Sequence, residues 1–178
     1  MVYVLVATGF EESELIVPVD LLIRGGASVK FVGVSGKTID GAHGISIATD
    51  CTIDEVSLDE MSLLFLPGGQ PGVNNLWSSP KVQALVLEAN NRKIPIAAIC
   101  AAPMILGRLG LLEGKNVTCY PGCEGELIGA KLTEKSVAID GRIVTGKAAG
   151  AVFEFAGALL ELLGLDAQRV LGSVYYAN

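Results

Sequence analysis

Four cysteines are the strongest nucleophiles in this 178-residue chain, and the surroundings of Cys100 set it apart from Cys51, Cys119 and Cys123. Ile96 to Ile99 is a wholly apolar run bounded by Pro95, too short for a helix, and reads as a strand buried on both faces. After Cys100, Ala101 to Gly107 has helix-forming composition, and Pro103 falls where a first helical turn accepts a residue without an N–H. The thiol is thereby expected at a sharp strand-to-helix corner, on the carboxyl edge of a parallel sheet, where open α/β folds place their ligands. N–H groups at a helix start favour a thiolate, and Ala101 and Ala102 leave room for a reagent. Free cysteine is also one of the most often buried residues, acting as a small hydrophobe, so the corner alone does not decide between the two roles.

Partners for such a thiol are sought among acids, histidine and glycine-rich loops. Glu11, Glu12 and Glu14 precede or open a helix, where acids complement the dipole; for Glu11 and Glu12 that reading is sufficient. Glu14 lies just inside the helix, and a turn of that helix aims it across the sheet edge toward the cysteine. Pro67-Gly68-Gly69-Gln70-Pro71-Gly72 follows an apolar run, and its paired glycines let backbone N–H groups approach a ligand, as in an oxyanion hole, although a plain turn uses the same residues. No P-loop or dinucleotide fingerprint occurs. His43, in a polar turn, reads as a solvated surface residue with an aptitude for acid–base work. Cys119 and Cys123 form C-x3-C with no second ligand pair and one histidine in the chain, so no structural metal site is expected, and free thiols fit a reducing cytoplasm.

The elements that must position these groups alternate almost throughout. Strands are expected over Val2 to Ala7, Val29 to Val34, Ser62 to Leu66, Ile96 to Ile99 and Asn116 to Tyr120, with Lys135 to Ile139 and Arg142 to Thr145 flanking Asp140-Gly141 as a hairpin. Helices are expected over Glu14 to Gly25, Pro80 to Asn90, Ala101 to Gly107 and Gly150 to Leu163, and a small β-excursion over Lys37 to Thr49. Such alternation predicts an α/β fold: a doubly wound, mostly parallel sheet with helices on both faces, carrying a small β-hairpin appendage.

A chain with 51% hydrophobic and 18% charged residues supports one domain with a substantial core over residues 1–178. A net charge of −6 and no Lys/Arg cluster argue against nucleic acid as a partner. No apolar run approaches the roughly 20 residues that span a bilayer, and the start lacks a basic n-region, so neither a membrane span nor a signal peptide is expected.

Three separated motifs resemble one family: Gly9-Phe10-Glu11-Glu12-Ser13-Glu14 with Pro18-Val19-Asp20, Leu66-Pro67-Gly68-Gly69, and Ala97-Ala98-Ile99-Cys100-Ala101-Ala102-Pro103. In this order they look like the ThiJ/PfpI superfamily, in the branch of the DJ-one protein (Parkinson disease protein 7), and the likeness extends to Thr145-Gly146-Lys147-Ala148-Ala149-Gly150 and Phe153-Glu154-Phe155-Ala156. The resemblance implies a flavodoxin-like, class I glutamine amidotransferase-like fold. It makes Cys100 the oxidation-sensitive nucleophile, Glu14 the carboxyl that bonds its sulfur, and Gly69 a backbone N–H donor. Tyr120 stands where the human relative has a pocket histidine, and Ala101 where the intracellular-protease branch has a histidine, which argues against peptidase activity. His43 replaces an arginine near the family's dimer boundary, and Asp20 and Arg24 match other residues of it.

The activity implied is a cofactor-independent glyoxalase or deglycase acting on methylglyoxal, glyoxal or their early adducts, with Cys100 attacking the carbonyl, N–H groups near Gly69 and Ala101 holding the oxygen, and Glu14 moving protons to a 2-hydroxy acid. The partner is then a small dicarbonyl or glycated substrate, and the chain a homodimer. The rival reading is an oxidative-stress sensor or redox-regulated chaperone in which Cys100 is oxidised to sulfinate.

Overall fold

The computed structural model describes residues 1–176. Along the chain run β1 (Val2–Val6), α1 (Glu12–Arg24), β2 (Val29–Gly33), β3 (Thr38–Asp40), β4 (Ser46–Ala48), β5 (Cys51–Thr52), β6 (Leu63–Leu66), α2 (Gln70–Trp77), α3 (Pro80–Asn91), β7 (Ile96–Ile99) and α4 (Pro103–Arg108). They are followed by β8 (Asn116–Val117), β9 (Lys131–Leu132), β10 (Val137–Asp140), β11 (Ile143–Gly146), α5 (Val152–Leu162) and α6 (Ala167–Ser173). Seven strands form one sheet in the order β10-β11-β7-β6-β1-β2-β5, parallel except for the antiparallel β10–β11 hairpin. The expected appendage is the β3–β4 antiparallel pair.

Apolar alternation explains the layering. On β1, Tyr3 and Leu5 enter the core on one face with Leu64, Leu66, Ile96 and Ala98, while Val2, Val4 and Val6 enter the other with Leu63, Phe65, Ala97 and Ile99. Both faces are covered by helices, so every residue of β1, β6 and β7 is buried, as a parallel sheet requires. From β1 the chain steps to β2 on one side and later to β6 on the other. The order therefore reverses beside β1, and a crevice opens at the carboxyl ends of β1, β6 and β7.

Three differences from the sequence reading bear on the site. The first helix begins at Glu12, two residues earlier than expected, so Glu12 as well as Glu14 lies within it. Gln70–Trp77 is helical although its first three residues were read as part of a glycine-rich turn, with Pro71 in the first turn where its missing N–H is tolerated. The strand expected over Asn116 to Tyr120 stops at Val117, because Thr118 turns its N–H to Thr145 Oγ1 at 2.9 Å and the next residues wrap around Cys100.

Candidate active site

Cys100 occupies the corner that the sequence pattern demands, with φ at +65°, a left-handed conformation that side chains rarely adopt. Such a conformation costs roughly 1–2 kcal/mol and persists only where neighbours impose it. Here the Cys100 N–H donates to Gly146 O at 2.9 Å, and the Tyr120 N–H donates to Cys100 O at 2.8 Å. The ends of β7 and β11 and the loop after β8 thus clamp one residue.

The facing wall comes from two clasped loops. Gly72 N–H donates to Gly9 O at 3.0 Å, Glu11 N–H donates to Gly68 O at 3.0 Å, and Asn75 Nδ2 donates to Thr8 O at 2.7 Å. Gly69 has φ +91°, and a Cβ there would come within 2.5 Å of Gly9 O and Glu11 N, so only glycine fits. A Cβ on Gly68 would overlap both Glu14 Oε2 and the Cys100 Cβ, which puts the carboxyl and the cysteine side by side across this glycine. Gly68→Ala is therefore expected to lose about 2 kcal/mol or more of stability by overpacking, readable as a lower thermal midpoint than wild type; an unchanged midpoint would mean that Glu14 and Cys100 are not held against Gly68.

Glu14 is 1% exposed, and its Oε2 makes no hydrogen bond of good geometry. Burial is the dominant influence on the carboxyl and raises its pKa from an ordinary 4.5 to about 7; the Cys100 thiol and the Ala149 and Gly68 N–H groups pull it down, and the Glu11 charge pushes it further up. Cys100, 9% exposed, is pushed up to about 12, first by burial and then by the Glu14 charge, against the pull of the Gly69 and Ala101 N–H groups. At this corner the N–H groups expected to favour a thiolate are opposed by burial. Helix α4 begins at Pro103, three residues beyond the sulfur, and burial outweighs the nearby N–H groups. Carboxyl and thiol form one proton-sharing pair in which neither charge is cheap.

The remaining candidates spread around this pair. Gly69 and Ala101 have their N–H groups at the sulfur. Tyr120 contributes its backbone to the clamp while the residue is 49% exposed. His43 stands farther out, where Glu12 draws it in: Glu12 Oε1 accepts the His43 backbone N–H at 2.6 Å and the Ile45 N–H at 3.4 Å, and Glu12 Oε2 lies 2.8 Å from His43 Nδ1. Glu12 therefore fastens the β3–β4 appendage to α1, a role beyond the helix-end complementation read from sequence. Glu11, Glu12 and His43 bring potential ligand atoms within 4.8 Å of one another, a grouping these hydrogen bonds already account for. Asp20 and Arg24 form an exposed ion pair at 2.8 Å on the outer side of α1. Sequence reasoning missed the Ala149 N–H beside Glu14 and the Gly146 carbonyl that receives the Cys100 N–H. Both lie in the Thr145–Gly150 stretch, where β11 ends, and its small residues were the available signal.

The DJ-1/PfpI family model matches residues 1–162. The chain belongs to that family. Among curated DJ-1/PfpI relatives, it is 38% identical to Protein DJ-1 homolog B of Arabidopsis thaliana over 90% of this chain but only 38% of that longer protein. It is 33% identical to a glutathione-independent glyoxalase of Caenorhabditis elegans, covering 86% of this chain and 82% of that one. It is 31% identical to a deglycase of Pyrococcus horikoshii, covering 89% and 96%. The solved structure of Drosophila melanogaster DJ-1beta is similar with a TM-score of 0.93 and 32% identity, over 99% of this chain and 98% of that one. The mostly parallel sheet with its small hairpin is thus the DJ-1/PfpI architecture. Among the described residues, no helix is long and apolar enough to cross a membrane.

Proposed function

We propose that this chain is a cofactor-independent glyoxalase or deglycase that converts methylglyoxal, glyoxal or their early adducts to a 2-hydroxy acid. The observation that carries the reading is the buried Glu14 carboxyl lying against Cys100 across Gly68. The activities named for the nematode and archaeal relatives support the substrate class.

The chemistry follows from a pair that holds its proton in common. Glu14, as carboxylate, takes the Cys100 proton while sulfur forms a bond to the aldehyde carbon; the carbonyl oxygen, held by the Gly69 and Ala101 N–H groups, then receives that proton. Glu14 next removes the proton on the same carbon and delivers it to the neighbouring ketone carbon, while the hydroxyl proton on the first oxygen passes to the former ketone oxygen. One carbon is oxidised to a thioester as the other is reduced to an alcohol, so the electrons balance within the substrate and no redox cofactor is required. Water cleaves the thioester and returns the thiol. A pKa near 7 suits Glu14 to take and give protons at neutral pH. The test is 2-hydroxy acid formation from methylglyoxal by the purified chain; no product above the Cys100→Ser background would overturn the reading.

The sensor reading draws less support. A peroxide-sensing cysteine must be reached by its oxidant, whereas Cys100 is only 9% exposed. We propose further that the chain is a single domain that pairs as a homodimer and works in the cytoplasm. The outer side of α1 suits such a contact, because half-exposed Ile16 and Ile23 flank the Asp20–Arg24 pair on one helical face. Sedimentation should give a dimer that weakens in Ile23→Glu; a monomer at micromolar concentration would remove this part.

A further inference from the structure

Glu12 is a buried acid, 6% exposed, that the reaction proposed above leaves unused. A carboxylate taken out of water needs partners that repay its desolvation, and the bonds described above draw them from one turn of the β3–β4 appendage: the His43 and Ile45 N–H groups and the His43 ring. A Cβ on Gly41 would overlap the Glu12 carboxyl, so the turn closes directly on it.

The appendage in turn grips the loop that faces Cys100. Gly9 N–H donates to Asp40 O at 2.8 Å, Ala42 N–H donates to Phe10 O at 2.8 Å, and Phe10 pairs with Gly41 as a parallel bridge. On its other side the same loop holds the glycine loop, with Gly9 O accepting from Gly72 N–H and Glu11 N–H donating to Gly68 O. Phe10 N–H and Glu11 O are taken by Ala7 O and Leu15 N–H. Every backbone polar group from Gly9 to Glu11 is therefore bonded, and the segment has no slack between the appendage and the glycine loop. Gly69 lies so close to Gly9 O and Glu11 N that no side chain fits between them, and its N–H is at the Cys100 sulfur. The neighbouring acid whose charge pushes Glu14 up is Glu11, so what Glu12 offers the pair is geometry.

We propose that Glu12 is a positioning residue for the reaction: by holding the His43–Ile45 turn it fixes the Gly9–Glu11 loop, and through that loop the Gly69 N–H that steadies the substrate oxygen beside Cys100. The catalytic part of this inference rests on the reaction proposed above; the placement of the Gly69 N–H does not. A donor that binds the developing oxyanion more strongly than the ground-state carbonyl acts on kcat rather than on KM, and a displacement on the order of 1 Å costs up to about 100-fold.

The test compares Glu12→Ala, Glu12→Asp and Glu12→Gln with wild type. Alanine removes all the bonds to the turn, and aspartate withdraws the carboxylate by one methylene while keeping its charge. Glutamine drops the charge but keeps an oxygen for the two N–H groups and can donate to a neutral His43 ring. Turnover of methylglyoxal is measured alongside the backbone amide signal of Gly69, which loss of stability alone does not move in a folded chain. Glu12→Ala should lower kcat about 10- to 100-fold with KM changed less than about twofold, and should displace the Gly69 signal. Glu12→Asp should fall between, and it carries the test if the alanine variant does not fold. Glu12→Gln should restore the signal and bring kcat to within about threefold of wild type.

Either readout left at its wild-type value in folded Glu12→Ala and Glu12→Asp protein would overturn the proposal, as would a Glu12→Gln chain as impaired as Glu12→Ala. A wild-type chain that forms no 2-hydroxy acid would instead overturn the reaction, and the Gly69 signal alone would then decide whether Glu12 sets the place of that N–H.

Discussion

Cys100→Ser protein is expected to form 2-hydroxy acid from methylglyoxal at no more than about one ten-thousandth of the wild-type rate, as loss of a nucleophile that works as a unit with its base costs. Serine is close in size and accommodates the +65° φ no worse than cysteine, so the fold and the clamp to Gly146 and Tyr120 should survive. What changes is the attacking atom. A hydroxyl is a far weaker acid than a thiol, and Glu14 with a pKa near 7 cannot draw its proton away to a useful extent. Assays of 2-hydroxy acid release, paired with a thermal melt to confirm folding, check the result. A Cys100→Ser enzyme with more than a few per cent of wild-type rate would place the nucleophile elsewhere.

Glu14→Gln is expected to separate stability from activity. Burial raises the folded-state pKa of Glu14 from 4.5 to about 7. Below pH 4.5 the carboxyl is neutral in both folded and unfolded chains and costs nothing in charge. As pH rises from 4.5 through 7 the unfolded chain releases this proton while the folded chain must hold it, so stability falls across that window and stays lower above it. Glutamine is neutral at every pH and removes the penalty. The variant should therefore be more stable than wild type at pH 8 by up to about 3 kcal/mol, roughly 5–10 °C in Tm, with the gap closing toward pH 4.5. Turnover should fall about 10²- to 10⁴-fold, the usual contribution of a positioned acid–base group. Thermal melts at pH 4.5, 6 and 8 with matched rate assays provide both readouts. A variant that is less stable than wild type at pH 8 would contradict the burial of an unsatisfied carboxyl.

The two effects share one cause. A buried carboxyl with one oxygen left unpartnered lowers stability at the pH where it is used, and functional sites are where such a cost persists.

How far the sequence announced this arrangement depends on whether a feature is local. Ile96 to Ile99 is β7 residue for residue, since an unbroken apolar run between Pro95 and a corner has no other stable use. The Cys100 corner and the glycines at 68 and 69 were legible for the same reason, because close backbone approach leaves few residue choices. Helix α2 was hidden: Gln70-Pro71-Gly72 has turn composition, and only Gly72, Val73 and Leu76 are buried along it. The Glu12 bonds to His43 and Ile45 join residues about thirty positions apart, and no periodic pattern encodes a pairing of that kind. The N–H groups near the thiol are visible in a sequence, whereas the desolvation that opposes them is a property of the whole packed crevice.

The rate of Cys100 alkylation by iodoacetamide between pH 5 and 9, read on the Cys100 peptide so that the other three thiols do not intrude, tests most directly whether carboxyl and sulfur act as one pair. In the wild-type chain the rate should climb through pH 7, where the pair loses its first proton, and then level off, because one remaining proton is divided between Glu14 and the sulfur in a fixed proportion. Glu14→Gln should lose that inflection. A wild-type profile with no break near pH 7, or the same break in Glu14→Gln, would show that Glu14 and Cys100 titrate independently.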